Sequence, residues 1–388
     1  MKRKISIVSG SRAEYGYLKP LIEKIENDKE LGLLLYIAGM HLVKEYGYTI
    51  DEIRRDGFDI SDTIDMEIKK ENSPKDLANS IGIGIIQFSR LFLKDKPEII
   101  IVFGDRIEPL AATIAASVMN IPVAHIGGGD TAMADIDNNI RHAITKFSHL
   151  HFTASQKSME RVLKLGEESW RVFNVGALSL DTLLKQELLT KEQLKKKYNI
   201  FNQPYILISF HPSSIEWRDS KKQIENVMDA ACKIANQKDF GIILIYPNAY
   251  PGGFQILKVI KQYAETNQNI LLFENFPHID YGSLMYNSII FVGNSSSGII
   301  EAPSLGVPYV CVGNRQFGRE RANNVIDVDY DKEEILIGIN NALSNKEFLE
   351  KVKKCESPYG NGTASEKILK ILKNIEINDK LIKKKMTY

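Results

Sequence analysis

Four side chains stand where proton chemistry is done. Asp105 lies in Gly104-Asp105-Arg106, Asp130 closes His125-Ile126-Gly127-Gly128-Gly129-Asp130, Asp137 follows shortly after, and His211 lies in Phe210-His211-Pro212. Three of them follow a short β-branched or apolar run, the position at which a strand gives way to a loop. Carboxylates at adjacent strand ends suit proton transfer at a substrate carbon. An imidazole in such a place suits donation to a departing phosphate or acid–base work. Capping of the helix that begins near Ile140 is the competing role for Asp137. Asp135, Arg141 and His142 fall in the same stretch.

A second set of residues reads as anion-binding. Arg12 sits in Ser9-Gly10-Ser11-Arg12-Ala13-Glu14-Tyr15-Gly16, just ahead of a helical pattern. Ser295, Ser296 and Ser297, between Gly293-Asn294 and Gly298, open an apolar helix that carries Glu301. Beyond it, Gly313 to Arg321 holds Arg315, Arg319 and Arg321. Hydroxyls and N–H groups at a helix start suit a diphosphate, and arginine adds a forked cationic donor. A tight turn with a surface arginine explains the Arg12 loop equally well. A plain N-cap is the competing account of the serines, but three in a row exceed what a cap requires. Neither G-x-G-x-x-G nor G-K-[ST] occurs, so no dinucleotide or P-loop site is expected, and no cofactor. His149 and His151 share a strand face near His125 and His142, yet no acidic spacing completes a metal motif, and no metal is expected.

The elements that must position these residues alternate along the chain. Lys4 to Val8, Leu33 to Ile37, Ile99 to Phe103 and Pro122 to Ile126 read as strands, with helical patterns over Tyr17 to Glu26, Lys75 to Leu93 and Glu108 to Met119. The rhythm restarts at Tyr205 to Ser209, Gly241 to Tyr246, Ile270 to Phe273, Ile289 to Val292 and Val307 to Val312. Helices are expected there over Lys221 to Ala235, Gln255 to Ala264 and Ser297 to Leu305. Ile99 to Phe103 is apolar without alternation, as a strand buried on both faces must be. The fold class is therefore α/β, with two doubly wound parallel-sheet domains separated by the charged stretch Thr190 to Tyr198 and a cleft between them.

Composition narrows the partners. The 388 residues carry 50 Lys+Arg against 49 Asp+Glu, a formal net charge of +1, without the basic excess of a nucleic-acid or membrane-surface binder. No nucleic-acid or membrane partner is expected. Hydrophobic residues at 44% and charged residues at 26% are those of an ordinary soluble protein. Cys232, Cys311 and Cys355 form no pair pattern and are expected to be buried, reduced thiols. Lys2-Arg3-Lys4 precedes too short an apolar run for a leader, and the longest apolar runs are strand-sized, so a cytoplasmic protein is expected.

The ordered set of loops resembles the UDP-N-acetylglucosamine 2-epimerase family over nearly the whole chain. The residues that carry the resemblance are GSRAEYG at 10–16, GDR at 104–106, HIGGGD at 125–130, IDNNIRHAITK at 136–146, FHP at 210–212, YPN at 246–248, GNSSSGIIEAPSLGVP at 293–308 and GNRQFGRE at 313–320. The R-A-E-Y opening is similar to the hydrolysing branch, which serves sialic-acid-type pathways, whereas the non-hydrolysing branch usually reads R-P-E. The resemblance implies two Rossmann-like, GT-B-like domains, over 1–178 and 179–365, with a helix at 366–388 packing back on the first. It implies a UDP-sugar substrate in the cleft and a homodimer. The implied reaction eliminates UDP through a 2-acetamidoglucal and then adds water, releasing N-acetylmannosamine.

Asp105, Asp137 and His211 match catalytic positions of the family, and Arg12, Ser295, Ser296, Glu301 and Arg319 match binding positions. Ser297, Arg315 and Asn248 of the YPN segment join them as substrate-binding candidates. The chain departs from the family at Gly127, where a Glu often follows His-Ile, and at Asn138, the second residue of an Asp-Asp pair. Asp130 is the nearest replacement acid and Asp135 the reserve. A related branch acts on UDP-2,4-diacetamido-2,4,6-trideoxyglucose in legionaminic-acid-type pathways. The altered loop leaves that substrate, or a GDP-linked one, open beside UDP-N-acetylglucosamine. A glycosyltransferase of the same architecture and a silent nucleotide-sugar binding protein are the competing readings.

Overall fold

The computed structural model describes residues 2–44, 47–69, 73–131, 136–213, 215–248 and 251–388. Seven strands form the first sheet: β1 Arg3–Ser9, β2 Leu31–Ala38, β3 Asp62–Ile64, β4 Ile99–Phe103, β5 Val123–Ile126, β6 Leu150–Thr153 and β7 Val172–Asn174, in the order β3-β2-β1-β4-β5-β6-β7. Six form the second: β8 Tyr205–Ser209, β9 Gly241–Ile245, β10 Ile270–Phe273, β11 Ile290–Gly293, β12 Tyr309–Val312 and β13 Val325–Val328, in the order β10-β9-β8-β11-β12-β13. Every pairing is parallel; Ile5 stands opposite Leu33 on one side and Ile99 on the other, and Ile208 stands opposite Val292.

Burial explains why these runs form parallel strands. Ile99 and Ile101 enter one apolar cluster with Ile5, Ile7 and Leu35, while Ile100 and Val102 enter another with Val8, Tyr36, Phe88 and Phe92. A strand whose two faces both meet helices has no solvent side on which to place polar residues. The helix Arg12–Glu26 supplies Tyr15, Leu18, Leu21, Ile22 and Ile25 to one layer, at the spacing of a single helical stripe. In the second sheet, Ile206, Ile208, Ile242, Leu244, Ile290 and Val292 pack against the helix Ser220–Lys238 through Ile224, Val227, Ala231 and Ile234.

The chain divides into two compact units. The first comprises Met1–Asp130, Asp137–Asp181 and Gly362–Tyr388, and the second is built on Thr182–Asn361. The charged stretch expected between domains forms the helix Lys191–Tyr198, opened by a Thr190/Gln193 capping box, within the second unit. The helix Ala364–Asn374 returns to the first unit and buries Ile368 and Leu372 in its core. Its start is held by Asp181, whose carboxylate accepts from Ala364 N at 2.9 Å and Ser365 N at 2.7 Å. A carboxylate there also meets the positive end of the helix dipole.

Three features differ from the sequence expectation. Strands β3, β7 and β13 are not among those expected: Asp62, Asn174 and Asp327 break their runs of three or four residues. The expected helix Ser297 to Leu305 is one α-helical turn, Ser297–Ile300, followed by a 3₁₀ turn, Ala302–Leu305, because Pro303 has no N–H to continue the ladder. Of the cysteines, Cys311 is buried, while Cys232 and Cys355 are half-buried; all three are free. Among the described residues no helix is long and apolar enough to cross a membrane.

Candidate functional site

A doubly wound sheet binds its ligand beyond the carboxyl ends of the strands, where the strand order reverses. In the first unit that point lies between β1 and β4, and in the second between β8 and β11. The loops leaving these four strands are Gly10 to Arg12, Gly104 to Arg106, Phe210 to Pro212 and Asn294 to Ser297. Arg12, Asp105, His211 and Ser295 to Ser297 thus fall at the two switch points, whereas Asp130, Asn248, Arg315 and Arg319 follow the neighbouring strands β5, β9 and β12.

In the first unit, Asp105 forms a short ion pair with Arg141, which is buried in the helix Ile136–Phe147. The turn carrying Asp105 is held from behind by His125 of β5, whose Nε2 donates to the Gly104 carbonyl at 2.7 Å while Nδ1 lies 3.1 Å from Thr145 Oγ1. Burial pushes the His125 imidazole down to about 3, so this link is made by a neutral ring. Asp130 is buried at the end of the triple-glycine loop, in which Gly127 and Gly129 have φ of +84° and +73°. Asp137 is half-buried in the first turn of the helix Ile136–Phe147. Asp135 lies outside the described residues. Arg12 donates from Nε to Glu52 Oε2 at 2.6 Å, a partner that nothing in the loop's own sequence announced.

In the second unit, His211 is held by backbone and amide groups. Asn248 N donates to its Nδ1 at 3.1 Å, and its Nε2 lies 3.4 Å from Ser209 Oγ. An accepting Nδ1 fixes the tautomer in which Nε2 carries the hydrogen. Burial, reinforced by Arg315, pushes this imidazole down to about 3, so His211 presents a neutral N–H donor rather than an imidazolium. Asn294 Oδ1 accepts from His211 N and its Nδ2 donates to His211 O, tying the β8 loop to the β11 loop.

The serine run is arranged by its neighbours. Ser295 Oγ and Ser297 Oγ are 2.7 Å apart, and Tyr281 OH lies 3.0 Å from Ser297 Oγ. Tyr309 OH donates to the carbonyls of Gly293 and Ser295. Ser296 is half-buried between these two serines. Arg315 Nη1 and Gln316 Nε2 both donate to the Asn294 carbonyl, at 3.1 and 2.8 Å, and Arg319 Nε donates to Thr131 O at 3.2 Å. Arg321 instead braces the loop, reaching the carbonyls of Gln316 and Arg319 and the Asp327 carboxylate. Glu301 is 2% exposed; its Oε1 is 3.7 Å from His278 Nε2, and its Oε2 has no hydrogen-bond partner among the described residues. Asn248 Oδ1 is likewise buried without one.

Sequence reasoning missed Asn294, Tyr281, Tyr309, Gln316 and Glu52 as working parts. Asn294 was visible inside the serine motif, but a side chain that joins two loops 83 residues apart has no local signature. The imidazoles considered for a metal are committed elsewhere: His149 Nδ1 accepts from Val123 N, and His151 Nε2 faces Glu167 Oε2. Among the described residues no group of three or more His, Cys, Asp or Glu is arranged to hold a metal ion.

A family model described as UDP-N-acetylglucosamine 2-epimerase matches residues 23–373. The chain is 35% identical over 389 residues to the UDP-N,N'-diacetylbacillosamine 2-epimerase (hydrolyzing) of Legionella pneumophila, covering 100% of both chains. It is 34% identical over 380 residues to the GDP/UDP-N,N'-diacetylbacillosamine 2-epimerase (hydrolyzing) of Campylobacter jejuni, covering 97% of each. Its fold matches the crystal structure of the UDP-GlcNAc 2-epimerase from Neisseria meningitidis bound to UDP-GlcNAc, with a TM-score of 0.81 and 22% identity over 96% of this chain and 100% of that one. The two α/β units are those of the GT-B-like 2-epimerase fold. The chain belongs to the UDP-N-acetylglucosamine 2-epimerase family.

Proposed function

We propose that this family member is a hydrolysing 2-epimerase of UDP-linked 2-acetamido sugars, with UDP-N-acetylglucosamine as its substrate. The observation that carries the reading is the division of labour between the two switch points. At and beside the first stand the carboxylates Asp105, Asp130 and Asp137 together with Arg12, and at and beside the second stand the serine hydroxyls, Arg315, Arg319 and a neutral imidazole donor.

The chemistry follows from the substrate. A C2–H beside an acetal carbon is not acidic, so cleavage of the C1–O bond leads and builds oxocarbenium character that nearby carboxylates stabilise. The electron pair of that bond leaves with UDP, whose diphosphate is held by Arg12, Arg315, Arg319 and the Ser295 to Ser297 hydroxyls. His211 donates its Nε2–H to a phosphate oxygen, and its low pKa keeps it a donor of fixed protonation rather than a source of charge. Asn248 and Glu301 accept from ligand hydroxyl or N–H groups, for which their unpartnered oxygens are available. A carboxylate among Asp105, Asp130 and Asp137 then takes up the C2 proton as a base, and the C2–H electron pair forms the C1–C2 double bond of the 2-acetamidoglucal. Water adds at C1 and a proton returns to the opposite face of C2, releasing N-acetylmannosamine and UDP.

A second reading keeps the reaction and changes the sugar to UDP-2,4-diacetamido-2,4,6-trideoxyglucose. Gly127 favours it, as do the names of the Legionella and Campylobacter relatives. The test is a product assay in deuterated water over UDP- and GDP-linked 2-acetamido sugars. The reading requires nucleotide release together with a free 2-epimeric sugar carrying deuterium at C2. Unlabelled product, or no release from any of the sugars, would sink it.

A further inference from the structure

The carboxyl end of the first sheet holds acidic groups to which the proposed reaction gives no part. Glu14, in the first turn of the helix Arg12–Glu26, and Glu108, in the first turn of the helix Ile107–Val118, are 5% and 0% exposed. Both meet Arg106. Its Nε lies 3.5 Å from Glu14 Oε1 and 3.3 Å from Glu108 Oε2, and its Nη2 lies 3.2 Å from Glu108 Oε1. The other Glu14 oxygen, Oε2, accepts from Gly10 N at 2.7 Å, while Oε1 has no hydrogen-bond partner among the described residues. The space is closed by glycines: a Cβ at Gly10 or at Gly39 would overlap the Glu108 side chain.

Two buried carboxylates therefore face one guanidinium. If both were ionised, the cluster would keep an uncompensated negative charge out of water, which is far costlier than binding a proton. We propose that Glu14 keeps its proton beside Glu108 and that the two side chains, with Arg106, form a buried positioning unit that holds the Gly10 to Arg12 turn against the Gly104 to Arg106 turn. It rests on the proposed function only in that those turns carry Arg12 and Asp105.

The linkage is direct at both ends. Glu14 grips the Gly10 N–H two residues before Arg12, and Arg106 follows Asp105 in sequence. Burial drives the Glu14 carboxyl up to about 8; Arg106 pulls it down and Glu108 pushes it further up. The other titratable groups nearby are otherwise engaged. His41, beyond β2, sits with Nε2 on Ser9 Oγ and Nδ1 on Thr49 Oγ1, and burial keeps it neutral at about 3. Arg12 is directed to Glu52, Asp105 to Arg141 and Tyr15 OH to Asp56. When the Glu14 proton leaves, its carboxylate competes with Glu108 for Arg106, and the two turns lose their common anchor.

The test compares urea denaturation of the full chain and its Glu14→Gln and Glu108→Gln variants from pH 5 to 9. A carboxyl whose native pKa lies above its unfolded one binds more protons folded than unfolded. Its stabilising effect is fullest below about 4.5 and is lost as pH rises to about 8. Over that window the wild-type folding constant should fall relative to that of Glu14→Gln by up to about tenfold per pH unit. Glu108→Gln should flatten the same slope, since Glu14 then ionises beside its own counter-charge; it serves alone if Glu14→Gln does not fold. Parallel pH profiles for the wild type and the variants would overturn the retained Glu14 proton. For the positioning role, the alkaline limb of kcat/KM for UDP release should move up by a pH unit or more in Glu14→Gln, through KM rather than kcat, and an unmoved limb would overturn that role. Denaturation needs no substrate, so a chain that turns over no nucleotide-sugar fails the proposed function and leaves the Glu14 proton to be decided separately.

Discussion

Asn294 and His211 hold each other twice: Asn294 Oδ1 accepts from the His211 N–H at 2.7 Å, and Asn294 Nδ2 donates to the His211 carbonyl at 2.8 Å. The amide acts as a rung between two strand-end loops that the chain reaches far apart. Asn294→Ala leaves both His211 main-chain groups without that partner and should cost about 1–3 kcal/mol of stability by urea denaturation. Asn294→Asp keeps the acceptor, turns the donor into an anion facing a carbonyl, and should be the more damaging of the two.

Asp105→Asn should separate binding from chemistry. The variant removes the charge that faces Arg141 and the carboxylate assigned to the sugar. Loss of an acid–base group costs roughly 10²–10⁴ in rate. UDP affinity by calorimetry should stay within a few-fold of wild type while UDP release from the substrate falls by that range. A comparable loss of UDP affinity would place Asp105 in nucleotide binding instead.

The buried histidines set the acid side of the stability curve. Burial pushes His41, His125 and His211 down to about 3 and His149 to about 4. Each binds fewer protons folded than unfolded, so its stabilising effect is complete above about 6.5 and is lost as pH falls toward those values. Denaturation midpoints should drop between pH 6 and 4, and His211→Asn should reduce the steepness. In the native protein the His211 ring resonances should not titrate between pH 5 and 8.

Gly293 has φ +137°, and a Cβ there would run into the Ser209 carbonyl. The same residue ends β11 and offers its carbonyl to Tyr309 OH. Gly293→Ala should lower stability by about 1–3 kcal/mol through backbone strain alone. Because it displaces the turn that leads into the serines, UDP affinity should fall with it.

Arg171 is fully buried and donates to the carbonyls of His149, Leu381 and Lys380. Lys384 adds an ion pair to Glu167 at 2.8 Å. Arg171→Ala should free the lysines at 380 and 383–385, and limited trypsin digestion should cut there in the variant well before it does in wild type.

Much of this arrangement was legible before any coordinates. Apolar runs of strand length located β1, β4, β5, β8 and β11, and the rule that ligands sit at strand ends then selected their loops. What stayed hidden was side-chain partnership across long chain separations. Glu52 neutralises Arg12, Tyr309 pins the serine loop, and Arg321, one of three arginines in one segment, braces that segment. Edge strands such as β3 and β13 escaped because Asp62 and Asp327 interrupt their short apolar runs. The serine segment was read as a longer helix because its apolar residues keep helical spacing through Pro303, whose missing N–H is a local matter that the spacing does not register.

The return of Ala364–Asn374 to the first unit sets the order in which the protein can be completed. Ile368 and Leu372 fill a core begun by Ile5 and Ile7, yet they leave the ribosome only after all of Thr182–Asn361. The second unit, made of Thr131–Ile136 and Thr182–Asn361, is therefore the first whose entire sequence has emerged. The amino-terminal sheet, although synthesised earlier, must wait with an open face for the helix Ala364–Asn374, and a nascent chain stalled before residue 364 exposes that face to chaperones and proteases.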